Sequence, residues 1–245
     1  MDRIAFTIFG IDVMWYGILI AIGMILAVLI SSKYAKKLGY DENLVIDLCI
    51  ALIPIGVIGA RVYYVIFNWS AYSGNIMEMI NIRGGGLAIH GGILFGLLTI
   101  FIYSKIKKID FFKLTDVVVL GLPLAQSIGR WGNFINGEAH GGPTNLPWGI
   151  MVDGQKVHPT FLYESISNVL IFILLFKLSK NKKYDGQLMV VYMVLYSIVR
   201  FFVEALRTDS LMFGPIKMAQ FISILGICLG IIIHIILLKR KNNGI

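Results

Sequence analysis

Three charged side chains, Arg200, Glu204 and Arg207, interrupt a stretch from Gly186 to Arg207 that is otherwise apolar. On a helix turning 100° per residue, Tyr196, Arg200, Glu204 and Arg207 lie within about 80° of one another. A charged residue near a bilayer centre costs roughly 2.5–3.5 kcal/mol on insertion scales. Three on one stripe must therefore face protein, water or a charged ligand rather than lipid. A guanidinium is a planar fork of donors matched to phosphate and carboxylate. The chemistry such a stripe offers is the grip of an anion.

Three other segments carry residues of comparable chemical content. Gly129-Arg130-Trp131-Gly132-Asn133-Phe134-Ile135-Asn136-Gly137-Glu138 combines glycines that permit tight turns, a further arginine, two amides and a carboxylate. An interfacial anchor built on Arg130 and Trp131 is the plain structural alternative. Gly84-Gly85-Gly86-Leu87-Ala88-Ile89-His90-Gly91-Gly92 places glycines before a helix start, where free backbone N–H groups could form an anion nest. No Gly-Lys-Ser/Thr follows, so it is not a P-loop. His90 is either a core histidine bonded to a neighbouring helix or part of a site that the small residues let a ligand approach. His158-Pro159-Thr160-Phe161-Leu162-Tyr163-Glu164 starts a helix with proline at its first position. Glu164, one to two turns in, needs a partner such as Arg61, and a supporting role suits it better than catalysis. One carboxylate cannot neutralise Arg130, Arg200 and Arg207, and with Glu138 and Glu164 added, guanidinium donors are expected to remain free.

The elements that position these residues are membrane helices. Of 245 residues 57% are hydrophobic and 15% charged, against about 25% charged in soluble domains. Seven segments are long and apolar enough to span: Met14–Ser32, Asn43–Asn68, Gly85–Ser104, Phe111–Arg130, Pro159–Leu178, Gly186–Leu206 and Pro215–Leu238. Lys33, Lys36 and Lys37 follow the first. Lys105, Lys107, Lys108 and Lys113 follow the third, Lys177, Lys180, Lys182 and Lys183 the fifth, and Lys239, Arg240 and Lys241 the seventh. Alternate crossings put all these clusters on one side, which the positive-inside rule makes cytoplasmic. The expected fold is an all-α polytopic membrane protein with its N-terminus outside and its C-terminus cytoplasmic. A single catalytic domain over residues 1–245 is expected, with an external loop region at about 131–158. The net charge of +8 then needs no nucleic-acid partner. Asp2 and Asp12 flank a weak apolar run with no small-residue cleavage site after it, unlike a cleavable signal. Cys49 and Cys228 fall within spans and read as small core residues, and Asp116 as a buttress of the fold. In this topology Tyr16, His90, Arg130, Arg200, Glu204 and Arg207 all gather toward the outer face.

The decapeptide Gly129–Glu138, as it stands, resembles the signature of the prolipoprotein diacylglyceryl transferase family. The resemblance extends to Trp15-Tyr16-Gly17, His90-Gly91-Gly92, His158-Pro159 with Tyr163-Glu164, and Tyr196 through Arg207, so it runs from the first span to the sixth. It implies transfer of the diacylglyceryl group of phosphatidylglycerol to the lipobox cysteine thiol of a preprolipoprotein, with release of glycerol phosphate. It further implies Arg130 and Arg200 as the phosphate-binding pair, with Asn133, Glu138, Tyr196 and Glu204 around them and Arg207 on the same stripe. His90 is the candidate base for the thiol and Glu138 the alternative. Tyr16 and His158 become lipid-contacting or supporting groups. No cofactor or metal is implied. The implied location is the bacterial cytoplasmic (inner) membrane, crossed several times, with the site toward the outer leaflet. An anionic-phospholipid transporter or flippase is the rival, since intramembrane charges are common there; one-sided charges and the lack of an internal repeat weigh against it.

Overall fold

A computed structural model describes residues 2–41, 43–82 and 85–243. The chain order is β1 (Ile4–Ile8), β2 (Ile11–Met14), α1 (Trp15–Lys37), α2 (Leu44–Phe67), α3 (Trp69–Tyr72), α4 (Ile76–Ile80), α5 (Ile89–Lys107) and α6 (Phe111–Asn136). Then come β3 (Ile150–Val152), β4 (Gln155–Val157), α7 (Thr160–Leu178), α8 (Gln187–Leu206), β5 (Met212–Phe213), β6 (Ile216–Lys217) and α9 (Met218–Asn242). Among the described residues seven helices are long and apolar enough to cross a membrane: α1, α2, α5, α6, α7, α8 and α9. Among the described residues the strands form three antiparallel hairpins. The expected helical multi-pass architecture is therefore the one observed. Side chains such as Leu170, Phe202 and Ile236 lie exposed on helix faces, a surface matched to acyl chains and not to water.

The sequence divides into two compact units. The first comprises Met1–Ser31 with Asp116–Ile245, the second Ser32–Thr115. In the first, α1 and α6 approach through reciprocal small pairs at helical spacing. A Cβ on Gly23 would stand 3.0 Å from the Ala125 carbonyl oxygen, and one on Gly121 would stand 2.5 Å from that of Ala27. Close backbone approach of this kind replaces the hydrophobic drive that lipid cannot supply. α8 packs against both α7 and α9. Asp116 of α6, fully buried, accepts the Gly186 N–H at 2.9 Å and the Met189 N–H at 3.0 Å and holds the Lys182 ammonium at 3.0 Å. It thus caps the start of α8 from another helix, which is the buttress expected of it.

In the second unit α2 and α5 make the main contact, with the Gly59 carbonyl lying where a side chain on Gly91 would be. Among the described residues, buried Arg61 hydrogen-bonds main-chain oxygens only: Met79 at 2.9 Å, Glu78 at 2.6 Å, Gly85 at 2.8 Å and Gly86 at 3.0 Å, with the Tyr72 ring 4.9 Å away. The expected anion nest is therefore corrected. Gly85 and Gly86 have φ of +84° and +73°, and their carbonyls turn onto a cation, while the Gly85 amide is taken by Ile82. Gly84 lies outside the described residues. Cys49 is half-buried and Cys228 exposed, both as free thiols. Cys228 is thus not the core residue expected.

Candidate active site

The fourth span runs further than its sequence suggested. α6 continues past Arg130 to Asn136, so most of the signature decapeptide is helix and not loop. Nothing in Trp131–Asn136 breaks a helix except Gly132, and the Tyr16 ring occupies the space where its side chain would be. The loop after α6 begins only at Gly137, whose φ is +69°. Helical geometry thereby fixes Arg130 and Asn133 on one rigid element, with Tyr16 packed against the turn between them.

Arg130 on α6 and Arg200 on α8 meet at one carboxylate. Glu164, on α7 and 4% exposed, places Oε2 at 2.6 Å from Arg130 Nε and Oε1 at 2.5 Å from Arg200 Nη1. The expected Arg61 partner is thus replaced. Arg61 bonds carbonyls within the second unit, whereas Glu164 joins two arginines of the first. Arg200 Nη2 also stands 2.6 Å from Glu204 Oε2, an electrostatic contact without hydrogen-bond alignment. Arg130 Nη2 reaches the Tyr196 hydroxyl at 3.5 Å, and the Tyr196 ring stacks on Tyr192, whose hydroxyl donates to Gln126 at 2.9 Å.

The third arginine is differently placed. Arg207 donates Nε and Nη2 to the two oxygens of Asp209 at 2.9 and 2.7 Å, with Glu204 at 3.9 Å. Hydrogen bonding by that guanidinium holds the Asp209 carboxyl below its ordinary range. Three arginines therefore face Glu164, Glu204 and Asp209, and the formal charge of the cluster is zero. Asp209, just beyond the helix, takes the neutralising place expected of Glu138, which bonds Asn133 and Asn136 instead. Free donors nonetheless remain: among the described residues Arg130 Nη1 and Arg200 Nε have no partner. Both side chains keep about a fifth of their surface accessible.

Glu138 does not join the arginines. Its Oε1 accepts from Asn136 at 3.1 Å and from Asn133 at 3.3 Å, and it lines a cavity of about 370 Å³ with Arg3, His140 and Phe161. His158 Nδ1 lies 3.3 Å from the Tyr163 hydroxyl, to which Trp148 Nε1 donates at 2.9 Å; these contacts support the loop and leave His158 apart from the Arg130–Arg200 pair. His90, the second residue of α5, belongs to the second unit. There its ring lies 6.1 Å from that of Tyr63, with no hydrogen bond to it among the described residues. Residues not foreseen are Asp209 and Lys217, whose ammonium caps α8 by binding the carbonyls of Glu204, Ala205 and Arg207. Asp209 was discoverable two positions after Arg207; Lys217 carried no signal, because its role depends on the β5–β6 hairpin folding it back.

The fold and site define a multi-pass helical membrane protein with an arginine–carboxylate network spread over three spans. The family model for prolipoprotein diacylglyceryl transferase matches residues 3–236. The chain is 63% identical over 245 residues to the phosphatidylglycerol–prolipoprotein diacylglyceryl transferase of Clostridioides difficile, covering 100% of this chain and 99% of the relative. It is 53% identical over 236 residues to the protein of that name from Finegoldia magna (96% and 95% covered), and 45% over 250 residues to that of Clostridium kluyveri (98% of each). The chain belongs to the prolipoprotein diacylglyceryl transferase family. The transporter or flippase alternative gains no support from these matches.

Proposed function

We propose that this protein transfers the diacylglyceryl group of phosphatidylglycerol to the cysteine thiol of a preprolipoprotein lipobox. The observation that carries it is the Arg130–Glu164–Arg200 bridge, with an unpartnered donor left on each guanidinium, in a chain of this family. The thiolate sulfur forms a bond to the terminal glycerol carbon of the lipid as the bond from that carbon to the phosphodiester oxygen breaks. The thiol proton passes to a base, and glycerol phosphate leaves with its added negative charge. Arg130 and Arg200 stabilise that charge, since fixed donors in a low-dielectric site act more strongly than water-exposed ones. Tyr196 and Glu204 hold the two guanidiniums in place.

His90 is the preferred base, being the side chain with the most nearly neutral ordinary pKa, and Glu138 is the alternative. Asn133 supports Glu138, and Arg207, Tyr16 and His158 shape the surrounding wall. The protein sits in the bacterial cytoplasmic membrane, basic clusters inward, with this site toward the outer leaflet. Purified protein, labelled phosphatidylglycerol and a lipobox peptide should yield a thioether-linked product, and a Cys-to-Ser peptide should yield none. Absence of thioether with the cysteine peptide would refute the assignment.

A further inference from the structure

The cavity beside Glu138 has a strand edge along its wall, and that edge has no partner among the described residues. Asp153 and Gly154 join β3 to β4 with φ of +47° and +78°, the two-residue loop whose twist suits a hairpin. The register pairs Val152 with Gln155, Met151 with Lys156 and Ile150 with Val157. In such a hairpin the closing pair is the hydrogen-bonded one and the next is not. Val152 and Ile150 therefore bond to β4, and the Met151 N–H and C=O point the other way. The far edge of β4 provides a check: the Lys156 carbonyl, opposite Met151, accepts the Thr144 N–H at 2.8 Å.

That far edge is paired on both sides of Val157. His158 N–H donates to Gly142 at 3.0 Å, Gly142 N–H donates to Leu206 at 2.9 Å, and Gly141 bridges Arg207. The ladder thus runs from the end of α8 through β4 to β3 and stops at Met151. The space beyond it is a cavity of about 370 Å³, lined by Ile150, Met151 and Val152 on one side and by Phe134, Phe161 and Glu138 on another. Phe134 and Phe161 stack with centroids 4.5 Å apart, forming an apolar floor. Exposed strand edges are liabilities that proteins normally cover, bend or charge. Here the edge borders a cavity that also contains the signature carboxylate.

We infer that Met151 is the docking edge for the protein substrate: an extended segment of the preprolipoprotein near its acceptor cysteine adds as a strand to β3. The inference rests on the transferase reading, which supplies a polypeptide acceptor. Main-chain pairing to Met151 gives affinity with little demand on sequence, while the Phe134–Phe161 floor accepts apolar side chains on one face of the added strand.

The test uses the full-length enzyme reconstituted with phosphatidylglycerol and a lipobox peptide. Met151→Pro removes the outward N–H without removing a bond to β4. Its KM for the peptide should rise about tenfold, as expected for a lost main-chain hydrogen bond and the clash of the ring with an added strand, with KM for phosphatidylglycerol unmoved. Met151→Ala keeps the amide and should stay within about twofold of wild type in peptide KM. Independently of turnover, hydrogen exchange at the Met151 amide should slow when the Cys-to-Ser peptide is added to wild type. An unchanged peptide KM in Met151→Pro, or unprotected Met151 exchange at saturating peptide, would overturn the inference. Protection without peptide that grows with protein concentration would overturn it too, identifying the edge as a contact between copies. Failure of wild type to form thioether would instead strike the transferase reading, with the exchange measurement still deciding the docking edge.

Discussion

Replacing Glu164 by Gln removes the one carboxylate shared by Arg130 and Arg200 and so measures what that carboxylate does. Unit charges about 4 Å apart attract by about 4 kcal/mol at an effective dielectric of 20, and Glu164 has two such partners, at 2.6 and 2.5 Å. Desolvation offsets much of this attraction, and removing one partner of a buried pair typically costs about 3–5 kcal/mol. For a chain of this size that corresponds to about 6–20 °C in Tm. The sign of the lipid effect is the sharper test. With the carboxylate gone, Arg200 keeps only Glu204 and Arg130 has no carboxylate partner among the described residues, so a phosphate restores what was lost. Phosphatidylglycerol should therefore stabilise Glu164→Gln more than wild type, both measured against phosphatidylcholine. A tenfold gain in affinity adds about 1.4 kcal/mol, or about 3–6 °C, which thermal unfolding in mixed micelles resolves. Equal phosphatidylglycerol shifts in the two proteins would show that Glu164 does not stand where phosphate binds, and the argument for the Arg130–Arg200 pair would fail with it.

Arg130→Lys keeps the charge but loses the fork that holds Glu164 through Nε while leaving Nη1 free, so thioether formation should fall at least tenfold, the loss of one charge-assisted hydrogen bond of about 1.4 kcal/mol or more; near-normal turnover would remove Arg130 from the phosphate site. His90→Asn should bind phosphatidylglycerol as wild type does yet transfer poorly, whereas equal loss of binding and transfer would make His90 structural. Asp209 is held below its ordinary range by Arg207, so its contribution to stability is present above the unfolded value of about 3.9 and is lost as pH falls through the lower folded value. Asp209→Asn should accordingly be less stable than wild type at neutral pH and converge with it under acid, as followed by Tm against pH; a constant difference down to the acid limit would show that Arg207 does not depress that carboxyl.

The helices were legible because their signal is local. Runs such as Trp15–Lys37 and Met218–Asn242 are apolar over a bilayer's thickness, and no tertiary contact is needed to see that. The Tyr196–Arg207 stripe was legible for the same reason, since helical periodicity alone aligns Arg200 with Glu204. What the sequence hid was pairing across elements. Glu164 had two candidate classes of partner, and only packing of α7 between the sites on α6 and α8 selects Arg130 and Arg200 over Arg61. The glycines at 85 and 86 suggested an anion cradle, but positive φ turns carbonyls as readily as amides toward a cavity, and buried Arg61 decides which. The reach of α6 to Asn136 was hidden because Gly132 looks like a turn until the Tyr16 ring fills its side.

A phosphate site inside a membrane faces two opposed demands. Uncompensated arginines would raise the cost of placing the helices in lipid, whereas fully committed ones would have nothing left for a substrate. The cluster answers both by separating charge from donor count. Glu164, Glu204 and Asp209 neutralise three arginines, and each of Arg130 and Arg200 still keeps a nitrogen without a partner. Under the proposed function, an arriving phosphodiester would meet directed donors in a neutral surrounding, and its single charge would require one internal carboxylate to yield. Glu164 is the one placed to do so, because among the described residues it alone touches both guanidiniums. Its retreat would pass the bridge to the lipid phosphate just as the leaving oxygen begins to gain charge, so that binding and stabilisation of the departing group draw on the same two side chains.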